Sequence, residues 1–410
     1  MPKPDRAVRG ADDMTDIVPP PLAGVTVVSL EQAVAAPFAT RQLADLGARV
    51  IKIERPGAGD FARRFDESVH GQSSYFVWLN RSKRSLTLDV KHSAGRAILD
   101  ELLAGADVLV QNFAPGAAAR LGTDAASLAR THPRVIPCTI TGYGADGPWA
   151  DRKAYDLLVQ CETGLVSLTG TPAEMVKVGI SVADIAAGMY AYSGILTALY
   201  RRATTGVVSA VDVSLFDALA EWLGAPAYYT LYSGQQPERA GAAHATIAPY
   251  GPYVTAAGDT VLVAIQNERE WQAFCRIVLG DAALADDPRF ARNSARVTHR
   301  AALDEVITAR FATLDTATVR ALLDKATVAN ARRNTVHDFV DHPVLTDRDR
   351  WRTVDTPGGP IRALVPPASL AGTETVLGPV PAIGQHTDEI LRDLGRTDAD
   401  IAALRAEGVI

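Results

Sequence analysis

Cysteine is scarce in this chain: three among 410 residues, Cys138, Cys161 and Cys275. An odd number at such wide spacing excludes a disulfide framework, a zinc knuckle and a C-x-x-C redox pair, and fits the reduced cytoplasm. Basic excess is missing too. With 41 Lys and Arg against 47 Asp and Glu, the net charge of -6 leaves no broad positive field for nucleic acid or anionic lipid, so neither is expected as a partner. There is no Walker loop, G-x-S-x-G elbow or H-E-x-x-H pair. Residues 1–21 are charged and proline-bearing, lack the apolar centre of a secretory signal, and read as a loose extension. Long apolar runs are limited to one, Val182 to Tyr200, and it contains Asp184. A carboxylate inside a span costs on the order of several kcal/mol, so this reads as a buried core helix and no membrane partner is expected.

The chain does have apolar bulk. At 47% hydrophobic and 21% charged it can fill two or three cores. From Val25 the pattern alternates: VTVVSL reads as a strand, Pro37 suits the first turn of a helix that Gly47 closes, and VIKIE reads as the next strand. Ser93 is a candidate cap for a helix carrying Ile98, Leu102 and Leu103. DVLVQNF is then a strand, Thr123 a cap, and RVIPCTI a strand. The fold class is therefore α/β, a doubly wound, mainly parallel sheet. Ligands of such sheets lie beyond the carboxyl ends of the strands, which directs attention to Glu31–Ala35, Arg55, Asn112, Phe113 and the TGYGADGP loop from Thr141. The Gly/Ala/Pro-rich stretch from Ser233 to Gly258 reads as a linker. A smaller α+β unit follows, with TVLVAIQ as a strand, a capping box at Asn267 and Glu270, and helices at 298–312 and 316–326. Thr356–Gly384 is too rich in proline and glycine for a helix, and two short helices near 387 and 398 close the chain.

Several patterns have a chemical and a bland reading. The TGYGADGP loop has G-x-G-x-x-G spacing, but Pro148 and Trp149 stand where a phosphate-binding helix should begin, which favours a glycine-rich turn over a nicotinamide site. His337, Asp338, Asp341 and His342 read as a solvated turn rather than a metal site. Arg81, Lys83 and Arg84, taken alone, read as a solvated run. Together with Arg55, Lys91, Arg120 and Lys153, they also suit side-chain capture of an extended phosphorylated ligand. Asp184, where the long helix should begin, is either an N-cap or a carboxylate nucleophile among small neighbours.

The stretches VIKIERPGAGD, YFVWLNRSKRSLTLD, ADVLVQNFAPGAAARLG, PRVIPCTITGYG, KAYDLLVQ, VADIAAGM and IGQHTDEILRDLG, in this order, resemble the family III CoA-transferases, the group of formyl-CoA transferase and the α-methylacyl-CoA racemases. The resemblance implies an interlocked homodimer with the active site at a domain and subunit boundary. It also implies a large CoA-binding domain over 22–225, a linker and small domain over 226–330, and a segment over 331–410 that returns to complete the large domain. The nucleophilic aspartate falls on Asp184. CoA contacts fall on Val34, Ala35, Arg55, Leu88 to Lys91, Asn112, Phe113, Arg120, Lys153, Tyr155 and Asp156.

Departures narrow the choice. Racemases of the family place a histidine where Tyr155 precedes Asp156, so the base for α-proton removal is missing. The glycine run and the glutamine of formyl-CoA transferases are replaced by SGQQPERAGAAHATIAPYGPY and by Val34. The segments VAIQNEREW, ANARRN, HPVLTDRDRWRTVDTP and GPVPAIGQHT look like the branch acting on C4–C5 dicarboxylates. The expectation is a CoA-transferase that takes CoA esters as substrates, with an acyl-CoA donor and a carboxylic acid acceptor, and that holds no permanent cofactor or metal. A racemase and a non-catalytic CoA-binding protein are the alternatives.

Overall fold

The computed structural model describes residues 19–373 and 375–410. Most of the expected N-terminal extension, residues 1–18, lies outside the described residues. The chain divides into two compact units. One comprises residues up to Ala154, Asp184–Leu215 and Arg350–Ile410; the other comprises Tyr155–Ala183 and Phe216–Asp349. The segment 155–183 thus groups with the second unit, although the sequence reading carried the large domain through to 225, and so does the stretch 331–349.

The first unit is built on six strands: β1 (Thr26–Leu30), β2 (Arg49–Glu54), β3 (Arg84–Thr87), β4 (Val108–Gln111), β5 (Ile136–Thr141) and β6 (Val211–Ser214). Their order is β3-β2-β1-β4-β5-β6 and every pairing is parallel. This is the doubly wound arrangement, with its reversal of strand order between β1 and β4. β1, β2 and β4 are apolar runs because both faces of a parallel sheet are covered. On one face Val28, Ile51, Leu86 and Leu109 pack with Ile98, Leu102 and Leu103 of the helix Ser93–Ala104 and with Ile390, Leu391 and Ile401 of the two C-terminal helices. Each such side chain contributes about 1.5–3 kcal/mol by leaving water.

Two caps differ from the sequence reading. His92, not Ser93, caps its helix, its Nδ1 accepting the Ala94 N–H. Asp124, not Thr123, caps the next, because the Thr123 hydroxyl is buried on Gln111. A hairpin of β10 (Trp351–Val354) and β11 (Ile361–Leu364), not foreseen in the sequence, also belongs to this unit.

The second unit has a three-stranded antiparallel sheet, β7 (Tyr250–Val254), β8 (Thr260–Ala264) and β9 (Ala329–Arg332), ordered β7-β8-β9. Val261, Val263, Trp271, Phe274, Leu303, Ile307 and Phe311 form its core. Asn267 opens a helix as expected, accepting the Glu270 N–H at 3.0 Å while the Glu270 carboxylate reaches back to the Gln266 N–H at 2.9 Å. The expected linker is partly structured: it contains β7 and follows the helix Gly224–Ser233.

Candidate functional site

The reversal between β1 and β4 fixes where a site can open, and the residues past both strand ends are tied together there. Asn112 accepts the Gln32 N–H at 3.0 Å and donates to the Gln32 carbonyl at 2.8 Å, so this side chain staples the two strand ends across the crevice. Ala33 then adopts φ +62°, a left-handed conformation that costs a non-glycine residue of order 1 kcal/mol. Its N–H is held by Asp60 Oδ1 at 3.2 Å. The helix Ala35–Asp45 starts immediately, with Val34 at its cap and no side-chain cap bond. Among the described residues the N–H groups of Val34, Ala35 and Ala36 have no acceptor, and Pro37 has no N–H to satisfy. Uncapped amides at the positive end of a helix favour an anion or a developing oxyanion.

Beneath this turn lies a buried charge cluster. Glu31 accepts from Lys83 at 2.7 Å and from Thr40 at 2.6 Å, with Lys52 at 3.4 Å. Lys52 also donates to Asp60 at 2.7 Å, the same carboxylate that holds Ala33. The side chains of Glu31, Lys52, Asp60 and Lys83 are all fully buried. Glu54, at the end of β2, accepts from Arg63 at 2.7 Å and from Ser85 at 2.6 Å. Burial alone would raise the Glu31 carboxyl, but the ammonium groups of Lys83 and Lys52 hold it below the ordinary range. Burial likewise opposes the Lys52 charge, yet Asp60 and Glu31 hold its pKa above normal. Lys83 carries the strain: burial, reinforced by the neighbouring Lys52 ammonium, outweighs Glu31 and pushes it down to about 7. Glu54 is brought to about 2, since Arg63 and Lys52 overcome its burial.

This corrects the reading of Arg81, Lys83 and Arg84 as a solvated run or as ligand-gripping groups. Lys83 is in the cluster. Arg81 is buried and bidentate on Asp45, at 2.9 and 2.8 Å, and Arg84 pairs with Glu389 at 2.6 Å.

Asp184 lies within the long helix Val182–Thr205, in its first turn. It is therefore not the N-cap, which corrects the capping reading. The Ala183 N–H is taken instead by Asp156 Oδ1 at 2.7 Å. Small residues let this helix lie close against the sheet unit. Gly188 sits where a Cβ would be 2.7 Å from the Ala35 carbonyl oxygen and 3.0 Å from the Phe38 ring, and Gly194 leaves no room beside Val211. Met189 Sδ receives a bond from Gln42 at 3.3 Å. Asp184 precedes Gly188 by one turn and shares its face. Gly188 itself rests on the start of the first helix, at Ala35 and Phe38. The helix is the only one among the described residues that is long and apolar enough to cross a membrane. One side of it packs on Ala35, Phe38 and Val211, and 39% of its apolar stretch is buried.

The remaining expected CoA contacts have separate settings. Arg55 is exposed just past β2, within 3.4 Å of Gln32 Oε1. Phe113 packs half-buried against the core. Leu88 is a core side chain, so only its backbone could meet a ligand. Lys91, Arg120 and Lys153 are exposed. Tyr155, 67% exposed, is not walled in by packing. Asp156 is a positioning group: besides Ala183 it accepts from Gln160 at 2.7 Å, and Gln160 in turn accepts the Val178 N–H at 2.9 Å. The TGYGADGP loop is a series of turns with no helix behind Pro148, as its proline predicts. His342 caps a helix, Asp338 completes the capping box of Thr335, and no group of three metal-ligating side chains occurs among the described residues. The charge cluster escaped the sequence reading, although a lysine inside the apolar run VIKIE was its signal.

Comparison with known proteins places this geometry. Residues 22–387 match the sequence model of CoA-transferase family III. The chain is 34% identical over 385 residues to the succinate–glutarate CoA-transferase of Agrobacterium fabrum, covering 92% of this chain and 96% of the relative. It is 31% identical over 397 residues to the succinyl-CoA–D-citramalate CoA-transferase of Chloroflexus aurantiacus, covering 96% and 98%. Among solved structures, a CAIB/BAIF family protein from Brucella suis superposes with a TM-score of 0.80 at 35% identity, over 91% of this chain and 99% of that one.

Proposed function

Since the chain belongs to CoA-transferase family III and is an enzyme of that kind, we propose that it moves CoA between C4–C5 dicarboxylic acids, with Asp184 as the nucleophile. The observation that carries this reading is the placement of Asp184 in the first turn of a helix whose next turn rests on Ala35, at the sheet's reversal point. The relatives named for succinate with glutarate and for D-citramalate support the dicarboxylate class.

In this mechanism an Asp184 carboxylate oxygen attacks the donor thioester carbonyl and expels CoA as its thiolate, giving a mixed anhydride. The thiolate attacks the Asp184 carboxyl carbon, releasing the donor acid and leaving an aspartyl thioester. The acceptor carboxylate attacks that carbon and expels the thiolate again, and the thiolate takes the acceptor's acyl carbonyl, restoring Asp184. Every step exchanges one acyl–oxygen bond for an acyl–sulfur bond or the reverse, so neither redox chemistry nor a net proton is needed. The amides of Val34, Ala35 and Ala36 offer donors for the oxyanions, each worth about 3 kcal/mol of barrier. Arg55, Lys91, Arg120 and Lys153 are exposed cations for the CoA phosphates. The family's homodimer fits the helix Gly224–Ser233, which buries none of its own residues and leaves Tyr228, Leu231 and Tyr232 exposed. Three free cysteines support a reducing compartment such as the cytoplasm.

The test is turnover of a panel of dicarboxyl-CoA esters, followed by hydroxylamine and peptide mass analysis. A hydroxamate on Asp184, and at least a thousandfold loss in Asp184→Asn, are expected. Turnover by Asp184→Asn at the wild-type rate, with deamidation excluded, would overturn the mechanism.

A further inference from the structure

The second unit carries a cleft of about 320 Å³ lined chiefly by Arg320, Asn330, Arg332, Asn334 and His342. Three elements converge on it. Arg320 comes from the helix Thr316–Lys325, Asn330 and Arg332 from β9, and His342 from the cap of the helix Pro343–Thr346. β9 is an edge strand, paired only with β8, so its outer side is open.

The lining is rich in donors, and its polar contacts explain why. Asn330 spends its amide N–H groups on Asp324 at 2.9 Å and the Val328 carbonyl at 3.2 Å, which turns its oxygen to Arg320 Nε at 3.4 Å. Arg320 is thereby held by one nitrogen, and its terminal N–H groups have no acceptor among the described residues. Arg332 has no hydrogen-bond acceptor among them either. Two carboxylates interact with lining residues: Asp324, engaged by Asn330, and Asp338, which feels Arg332 but is held by the N–H and hydroxyl of Thr335. His342 Nδ1 accepts the Val344 N–H at 3.2 Å, so its ring proton sits on Nε2, another donor. Two guanidinium groups, the Asn334 amide and an imidazole N–H match a compact oxyanion.

We propose that this cleft binds a small oxyanion, a carboxylate or a phosphate, between Arg320 and Arg332. The two sources are separated by titrating the full-length protein calorimetrically with inorganic phosphate and, in a second arm, with succinate, at ionic strength fixed by sodium chloride. Saturable binding of one of them at one site per chain is expected. Arg332→Gln and Arg320→Gln should each weaken it at least tenfold, with Arg332→Lys intermediate, because the ammonium keeps the charge but loses the fork. Both arginines are exposed, and unchanged thermal unfolding confirms that the variants fold. Asp184→Asn should bind as the wild type does, so failure here and failure of the transfer mechanism are told apart. Absence of saturable binding in both arms, or binding that survives in Arg332→Gln and Arg320→Gln, would overturn the proposal.

Discussion

Replacing Lys83 by methionine tests the buried cluster beneath the β1 turn. In the wild type Glu31 has Lys83 at 2.7 Å and Thr40 at 2.6 Å, while Lys52 stands farther off at 3.4 Å and is shared with Asp60. Lys83→Met removes the nearer ammonium and leaves a buried carboxylate under-compensated, which costs about 3–5 kcal/mol. At about 2–4 °C per kcal/mol for a domain of this size, the melting temperature should fall by roughly 6–20 °C at neutral pH. The pH dependence is the sharper part. Lys83 releases its proton in the folded protein at about 7, whereas an unfolded lysine keeps it to about 10.5. Between those values the unfolded chain binds more protons, so this group makes the wild type more stable as pH rises, by about 1.4 kcal/mol per unit. The methionine variant lacks that gain. The stability gap between the two should therefore widen by about 2–3 kcal/mol from pH 7 to pH 9. Denaturant unfolding at both pH values measures it. A gap that stays flat or narrows would mean that Lys83 keeps its proton in the fold, and the account of the cluster would be wrong.

Three further outcomes follow from the same neighbourhood. Asp60→Asn weakens the anchor of the Ala33 N–H and leaves Lys52 without its 2.7 Å partner, so KM for the acyl-CoA donor should rise about tenfold; initial-rate kinetics decide, with Asp45→Asn as a buried control elsewhere in the sheet unit. Gly188→Ala places a methyl 2.7 Å from the Ala35 carbonyl oxygen and forces the helix of Asp184 away, so kcat should drop at least tenfold while stability falls by about 1–3 kcal/mol, read by kinetics beside thermal unfolding. Glu54, with its carboxyl lowered to about 2, contributes stability that is complete above pH 4.5 and lost as pH falls toward 2. That is worth about 3 kcal/mol, and Glu54→Gln should flatten this part of the acid-unfolding curve.

The α/β alternation was legible because central parallel strands must be apolar on both faces, which VTVVSL and DVLVQNF are. Strands that break this rule were not. β3 reads RSLT and β9 reads ANAR, polar sequences whose strand character comes from pairing with β2 and β8. YGPYV looked like linker because of Pro252, yet β7 is an edge strand, where a missing N–H can be tolerated. Caps were misplaced by one residue at Ser93 and Thr123 because neighbouring polar residues compete for the same amides, and local sequence does not say which wins.

Charge was the least legible feature, and the reason bears on the site. A run such as RSKR is ordinarily solvated, and sequence spacing cannot show that Lys83, one residue before β3, lies under the β1 turn while Arg81 turns to Asp45. Lys52 offered the better clue, since an ammonium inside VIKIE must either face solvent or find carboxylates, and a central strand offers no solvent. Asp184 poses the opposite problem. Its type and position suit a cap, and only the bond from Ala183 to Asp156, 27 residues away, shows that a different carboxylate holds that amide. A residue inside the first turn, one turn before a glycine pressed on Ala35, shares that glycine's side of the helix. Placing a carboxylate there uses the amide-rich end of one helix and the close approach permitted by a glycine on another, and neither can be read from a one-dimensional pattern.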